Sequence, residues 1–448
     1  MSLTYTSIVD APIDEVYDWH TRPGAITRLA PPWQPIRVEQ EAESLRDGTA
    51  VLRLPGDIRW WAKHLSDEHA PPTRFVDKLS HGPVHKVLSW HHTHDFAETT
   101  DGRTQLTDTV ASQIPAFALR PMFTYRHTQL ANDLAVHARV RRLRRTPMTV
   151  AVTGSRGLVG EAVSSLLSTG GHRVIRLVRR PARDDDERYW DPYRPDARIL
   201  AGTDAVIHLA GEPIAGRFTR AHKNAIADSR VGPTRLLAEC AASTPGVEAF
   251  VSASAIGIYG PDRGDERLTE DSERGDGYLA DVVAAWEGAT RPAADAGVRT
   301  VHVRTGLAQS PNGGTLRIQY PLFAAGLGGR LGDGQQWNSW IGVDDLADIY
   351  LWALVDPELR DAVNAVTRNP VRNQTYARTL GHVLRRPVLI PVPSIAPSLL
   401  LGREGTDELA LASQRVDPSR LRRAGHHYRH PDLEGALRHQ LGKSAPHE

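Results

Sequence analysis

Gly154, Gly157 and Gly160 stand three residues apart in "VAVTGSRGLVGEAVSSLLSTGGHRVIRLVRR" (150–180). That spacing, after a β-branched run and before a helical pattern, suits a pyrophosphate. One glycine lets the chain turn tightly, another lets backbone N–H groups approach phosphate, and the third lets helix pack on strand. The helix N-terminus adds unsatisfied N–H donors and the positive end of its dipole. Ser155, Arg156, Leu158 and Val159 complete this cofactor-binding segment. The second apolar run ends on Arg179 and Arg180, where an NAD binder carries an acid for the ribose 2′-hydroxyl. Arginine forks onto phosphate oxygens instead. The expected cofactor is therefore NADP(H), with Arg156 as a third cation.

Other residues suggest contacts to a small-molecule substrate. Arg304 closes an apolar run before "TGLAQS" and could face an anion. Glu212, in "DAVIHLAGEPI" (204–214), follows a strand at the end where parallel sheets bind ligands. Trp340 lies in the polar stretch "GQQWNSWIGVDDL". Asp344 and Asp345 open a helical pattern there and read as N-terminal charge rather than a catalytic pair. His81, His85, His91, His92 and His94 crowd one strand-like run. His92 and His94 would share a face, as metal ligands can. The run alternates as a half-buried strand and no cysteine joins it, so packing or cavity lining is the expectation, and no metal.

A parallel sheet must position the glycine turn. Strands are expected at Thr149–Thr153, Arg173–Val178, Asp204–Leu209, Ala249–Ser254 and Thr300–Arg304, with helical patterns between them. Alternating β and α gives a doubly wound sheet with right-handed crossovers. At ~150 residues per domain, 448 residues suggest two or three domains. The expected division is 1–140, a basic linker at 141–147, a nucleotide domain at 148–390 and a helical part at 391–448. A net charge of +1 offers no global field for nucleic acid. The start lacks a signal-peptide pattern, and no apolar run approaches the ~20 residues of a membrane span. The single cysteine, Cys240, excludes an internal disulfide and reads as a buried small hydrophobe. A cytoplasmic location is expected.

"TGSRGLVG" (153–160), "DAVIHLAGEPI" and "SASAIGIYG" (252–260), in that order, resemble an extended short-chain dehydrogenase/reductase. "SRVGPTRLLAE", "RTGLAQSPNGGTL" and "LASQRVDPSRLRRAG" narrow the resemblance to an epimerase-like family often labelled nucleoside-diphosphate-sugar epimerase or cell division inhibitor. It covers about 148–440 and implies a small helical domain at the end. It also implies roles: Leu209, Ala210 and Gly211 under the adenosine and ribose, Ser252 and Ala253 beside the nicotinamide ribose, and Ser254 on the reacting oxygen. Extended members carry Tyr-x-x-x-Lys on the next helix, where i, i+4 spacing puts both on one face. Here "GYLADVVAAWEGA" (277–289) has Tyr278 but Val282. None of Lys63, Lys78, Lys86, Lys223 and Lys443 follows a tyrosine by four residues. Tyr278, the second catalytic candidate, therefore lacks its usual cation.

Residues 1–140 resemble a helix-grip domain of START or polyketide-cyclase type, on "SIVDAPIDEVYDWHTRPGAITRLAPPW" and "TQLTDTVASQIP". The resemblance implies a twisted antiparallel sheet around a long helix, with an apolar ligand in the cavity between them. The whole reads as an α/β protein of Rossmann type, preceded by an α+β domain. The expected function is an NADP(H)-binding, epimerase-like oxidoreductase acting on a small molecule, a nucleotide-sugar or carbonyl compound. The alternative is an NADPH-binding regulatory or scaffold protein without turnover. The sequence sets no oligomeric state.

Overall fold

Strand alternation builds the first region. The computed structural model describes residues 2–444. In chain order come β1 (Ser2–Val9), α1 (Ile13–Thr21), α2 (Ala25–Leu29), β2 (Arg37–Gln40), β3 (Thr49–Leu54), β4 (Ile58–His64), β5 (Arg74–Leu79), β6 (Trp90–Glu98), β7 (Thr104–Ser112) and α3 (Ala116–Leu143). The strands form one antiparallel sheet in the order β1-β7-β6-β5-β4-β3-β2. On β7 every second residue from Thr104 to Ser112 is buried, so one face meets the core. That core joins Val16 and Trp19 of α1, Phe75, Phe96 and Leu106 of the sheet, and Leu130 and Leu134 of α3. α3 runs through Leu143, with Arg141 and Arg142 in its last turn, where cations offset the helix dipole. This unit also takes in Ser165–Gly171 and residues 438–444. It holds an open cavity of about 900 Å³.

The second unit is Thr146–Ser164 with His172–Leu437. It contains β8 (Thr149–Thr153), α4 (Leu158–Thr169, whose N-terminal half lies here), β9 (Arg173–Val178), β10 (Glu187–Tyr189), β11 (Ala205–His208), α5 (Arg220–Asp228), α6 (Val231–Ser243), β12 (Ala249–Ala255), β13 (Asp262–Leu268), α7 (Tyr278–Gly288) and β14 (Arg299–Thr305). A seven-stranded sheet runs β10-β9-β8-β11-β12-β14 and then strand Asp361–Ala365. All of its pairings are parallel. The strand order reverses between β8 and β11, and that switch point is where such sheets open a ligand crevice. The sheet is apolar on both faces, as buried parallel strands must be: Ala151, Ile175, Val206 and Phe250 are buried on one face, and Val152, Ile207 and Val251 on the other.

The five expected strands are present, within one residue at each end. Two further strands flank them: β10, and Asp361–Ala365 at the far edge. The tail is helical at Ser398–Gly405, Ser419–Arg423 and Leu433–Gln440. It also supplies strand Ser413–Val416, which pairs parallel with β13. Among the described residues no helix is long and apolar enough to cross a membrane.

Candidate nucleotide and reaction site

Two glycines of the turn are fixed by the chain itself. Gly154 has φ +65°, and a Cβ there would lie 2.8 Å from the Leu209 backbone. A Cβ on Gly160 would lie 2.1 Å from the Gly154 carbonyl oxygen. Gly157 differs. It is exposed, and its N–H donates to Gly154 O at 2.9 Å. A Cβ on it would meet only that oxygen, at 3.3 Å. No neighbouring segment requires glycine at 157, which leaves its outer side open to a ligand. Leu158 and Val159, half-buried, open α4, so the turn runs into a helix N-terminus, and Ser155 is buried beneath it.

The cations beside the turn gather on one acid. Glu187 of β10 is almost wholly buried. Arg180 forks onto it with N···O distances of 2.6 and 2.7 Å. Arg156 reaches it at 3.4 Å and Arg176 at 3.7 Å, and the Arg183 N–H donates to it. The Arg180 guanidinium, above all, holds the Glu187 carboxyl at about 2. Three cations therefore surround Glu187, and one of them, Arg176, also pairs with Asp184 at 3.0 Å. Arg179 is exposed and has no ion pair among the described residues. Arg180 is not the free cation that its place in the sequence suggested. Glu187 was missed because "RDDDERYW" reads as a solvated acidic loop.

On the other side of β8 a buried relay fixes the loop after β11. Thr153 Oγ1 accepts from the Leu209 and Ala210 N–H groups at 3.0 and 3.1 Å. Its own proton is left for His208 Nδ1 at 2.8 Å. His208 Nε2 faces Thr234 Oγ1 of α6 at 3.0 Å, and Trp286 Nε1 of α7 donates to the same oxygen. Burial, with Arg230 nearby, lowers His208 to about 4, so the ring is neutral. Arg230, just before α6, is buried against the Trp286 ring, 5.0 Å away. It donates to the carbonyls of Ile226 and Glu212 and has no carboxylate partner among the described residues. Leu209 and Ala210 are half-buried, and Gly211 and Glu212 are exposed at the lip of this loop. Neither His208 nor Arg230 carried a spacing signal in the sequence.

At the reaction end the polar groups are already partnered. Ser254 of β12 sits opposite Arg304 of β14 in the parallel register. The Ser254 hydroxyl donates to Glu287 Oε1 of α7 at 2.6 Å, and Ser254 is 4% exposed. Arg304 forks onto the same carboxylate, with both contacts at 2.8 Å. It also donates to Tyr259 Oη at 3.0 Å, and that hydroxyl donates to Asn364 Oδ1 at 2.7 Å. Burial would raise Glu287, yet Arg304 holds its carboxyl below the usual value. Arg304 is therefore tied inside the protein and does not present a free cation to a substrate. Trp340 is fully buried, with its Nε1–H on Asn369 O at 3.1 Å, so it does not face a cleft. Ser252 is buried, whereas Ala253 and Ala255 alternate with it and are half-buried.

Tyr278 opens α7, whose first N–H groups are capped by Glu408. Its hydroxyl donates to the Lys223 carbonyl at 2.5 Å. A lysine does approach: Lys223 Nζ lies 4.8 Å from the ring centroid. It sits over the ring face, pairs with Glu404 at 2.7 Å, and leaves the phenol unactivated. Burial pushes the Tyr278 hydroxyl up from its ordinary value.

Comparison with known proteins places this arrangement. Residues 150–365 match the NAD dependent epimerase/dehydratase family, and residues 392–440 match a domain of unknown function (DUF1731). An epimerase family protein of Mycobacterium bovis is 40% identical over 291 residues, covering 64% of this chain and 96% of that protein. The crystal structure of a nucleoside-diphosphate sugar epimerase from Corynebacterium glutamicum superposes with a TM-score of 0.88 at 43% identity. It spans 99% of this chain and 91% of the other. A human epimerase family protein, solved with NADPH, superposes with a TM-score of 0.61 at 32% identity, over 66% of this chain and 99% of that one.

Proposed function

Because the chain belongs to the NAD dependent epimerase/dehydratase family, we propose that it binds NADP(H) at the β8–β11 switch point and acts as an oxidoreductase on a small carbonyl or hydroxyl compound. The observation that carries the cofactor assignment is the surplus of cations beside the glycine turn. Glu187 and Asp184 offset two of Arg156, Arg176 and Arg180, and Arg179, next to them, has no ion pair among the described residues. A ribose 2′-phosphate supplies the missing negative charge. The relative solved with NADPH supports this reading.

The protein's own residues have distinct tasks. Gly157 leaves room for the pyrophosphate, and the N–H groups opening α4 face it. The Thr153–His208 relay holds Leu209 and Ala210 in place beside the ribose. When bound, the nicotinamide supplies the hydride that a reduction needs. Ser254 and Tyr278 are the hydroxyls proposed to meet the substrate oxygen. Each must exchange its present partner, Glu287 or the Lys223 carbonyl, to do so. Tyr278 enters as a neutral donor, because burial raises its hydroxyl rather than activating it.

Those same commitments favour a second reading, in which the protein binds NADPH and regulates a partner without turnover. Nicotinamide absorbance of the NADPH-loaded protein, followed after adding a small-molecule cell extract, separates the two. Decay that disappears in the Ser254→Ala protein supports the oxidoreductase. Bound NADPH with no decay in any extract supports the regulatory protein.

A further inference from the structure

The sheet register of the N-terminal unit builds a second polar centre. His92 and His94 alternate onto one face of β6. Asp77 of β5 stands opposite His92, and Asp108 of β7 stands opposite His94. All four are buried, His92 at 1% and Asp77, the most exposed, at 8%. Asp77 Oδ2 lies 3.2 Å from His92 Nδ1 and 3.5 Å from His94 Nε2. The outer nitrogens, His92 Nε2 and His94 Nδ1, lie 3.1 and 2.8 Å from Asp108 Oδ1. Asp108 Oδ2 takes His127 Nε2 at 3.0 Å, and His127 Nδ1 meets Ser7 Oγ at 2.7 Å. Asp77, His92 and His94 line the 900 Å³ cavity, and Asp108 stands behind them.

From this geometry we propose that Asp77, His92 and His94 bind a divalent transition-metal ion whose open coordination positions face the cavity. Two histidines and one carboxylate suit zinc or iron(II). Ligand atoms held ~2.1 Å from a tetrahedral ion stand roughly 3.4 Å apart, close to the two Asp77 distances. Asp108 Oδ1 lies within 3.1 Å of both outer ring nitrogens, where a carboxylate can support metal-bound imidazoles. The protein's own groups leave this centre unsatisfied: His92 Nε2 and Asp108 Oδ1 are buried with no hydrogen bond.

The untagged full chain, stripped with chelator, should take up one Co(II) per chain with a visible ligand-field band that Zn(II) displaces. Asp77→Asn and His94→Gln should each weaken binding about 100-fold or more. His85→Ala, at an exposed site, should bind as the parent does. Zn(II) should also raise the unfolding temperature of the parent by mass action, a readout that does not depend on either variant folding. No saturable Co(II) uptake, no thermal shift with Zn(II), or undiminished uptake by both ligand variants would each overturn the site.

Discussion

The two halves of the nucleotide crevice differ in what they leave unsatisfied. At the glycine turn, Gly157 is open, Arg179 has no ion pair among the described residues, and Arg156, Arg176 and Arg180 share two acids, Glu187 and Asp184. At the ends of β12 and β14, Ser254, Arg304, Tyr259 and Tyr278 each hold a partner inside the protein. The first half keeps a surplus of positive charge, whereas the second pairs its polar groups within the protein. An enzyme of this fold ordinarily needs the reverse at its reacting end, a hydroxyl poised to give or take a proton. The contrast separates cofactor binding, for which the residues are free, from proton transfer, for which they must first be released.

The largest expected effect tests the open half. Gly157→Val should abolish binding of both NADPH and NADH, because its side chain would stand where backbone meets phosphate. The fold should survive, since a Cβ there meets little. Retained affinity, measured by fluorescence titration, would place the nucleotide elsewhere. Arg304→Ala tests the closed half. It strands Glu287 in a buried site, and losing one partner of such a pair costs about 3–5 kcal/mol. Denaturant unfolding should report that loss. Unchanged stability with lost turnover would mean that Arg304 serves substrate and not architecture.

Charge reversal at Arg179 and Arg180 should weaken NADPH roughly 10- to 100-fold relative to NADH, the size of one lost charged hydrogen bond. Equal losses for both nucleotides would remove the 2′-phosphate assignment. Away from both halves, Asp345, in the first turn of helix Val343–Val355, makes stability depend on pH. Burial and the neighbouring Asp348 push its carboxyl up to about 8, despite N–H donors from Arg429 and His430. An unfolded aspartate titrates near ~4, so between about pH 4 and 8 the native state holds a proton that the unfolded chain has lost. Stability from this group therefore falls as pH rises through that window, by at most about 1.4 kcal/mol per unit. Asp345→Asn should flatten the slope, and an unaltered slope would show that Asp345 is ionised in the native state.

What the sequence made legible follows from what is local. β8, β9, β11 and β14 announce themselves as β-branched runs between helical patterns, β12 is marked by the motif "SASAIGIYG" that it leads into, and the glycine turn sits where its spacing puts it. Strand Asp361–Ala365, "DAVNA", has one β-branched residue and is buried by its neighbours, so nothing local marked it. Glu187 and Glu287 organise the arginines of the two halves across the sheet, at separations no spacing rule reaches. The face shared by His92 and His94 was legible from alternation. Asp77 and Asp108 were not, because cross-strand register depends on the hairpins that join β5, β6 and β7. Without those carboxylates the histidines read as packing.

Tyr278 gives the finest test of the contrast between the halves. If the phenol were the acid/base, Tyr278→Phe would cost ~10²- to 10⁴-fold in turnover. In the structure the hydroxyl donates to the Lys223 carbonyl, with the ammonium over the ring face, and burial outweighs the opposing pull of Arg230 on the phenol. A neutral hydrogen bond contributes about 0.5–1.5 kcal/mol, so removing it should lower turnover or stability by roughly tenfold at most. NADPH affinity should stay at the parent value, since no part of the glycine turn or the arginine cluster touches this ring. A loss of several hundredfold in turnover at unchanged affinity would show that Tyr278 leaves Lys223 during the reaction. The reaction end would then be closed only at rest, and the distinction between an open and a complete half would describe one state of a moving site.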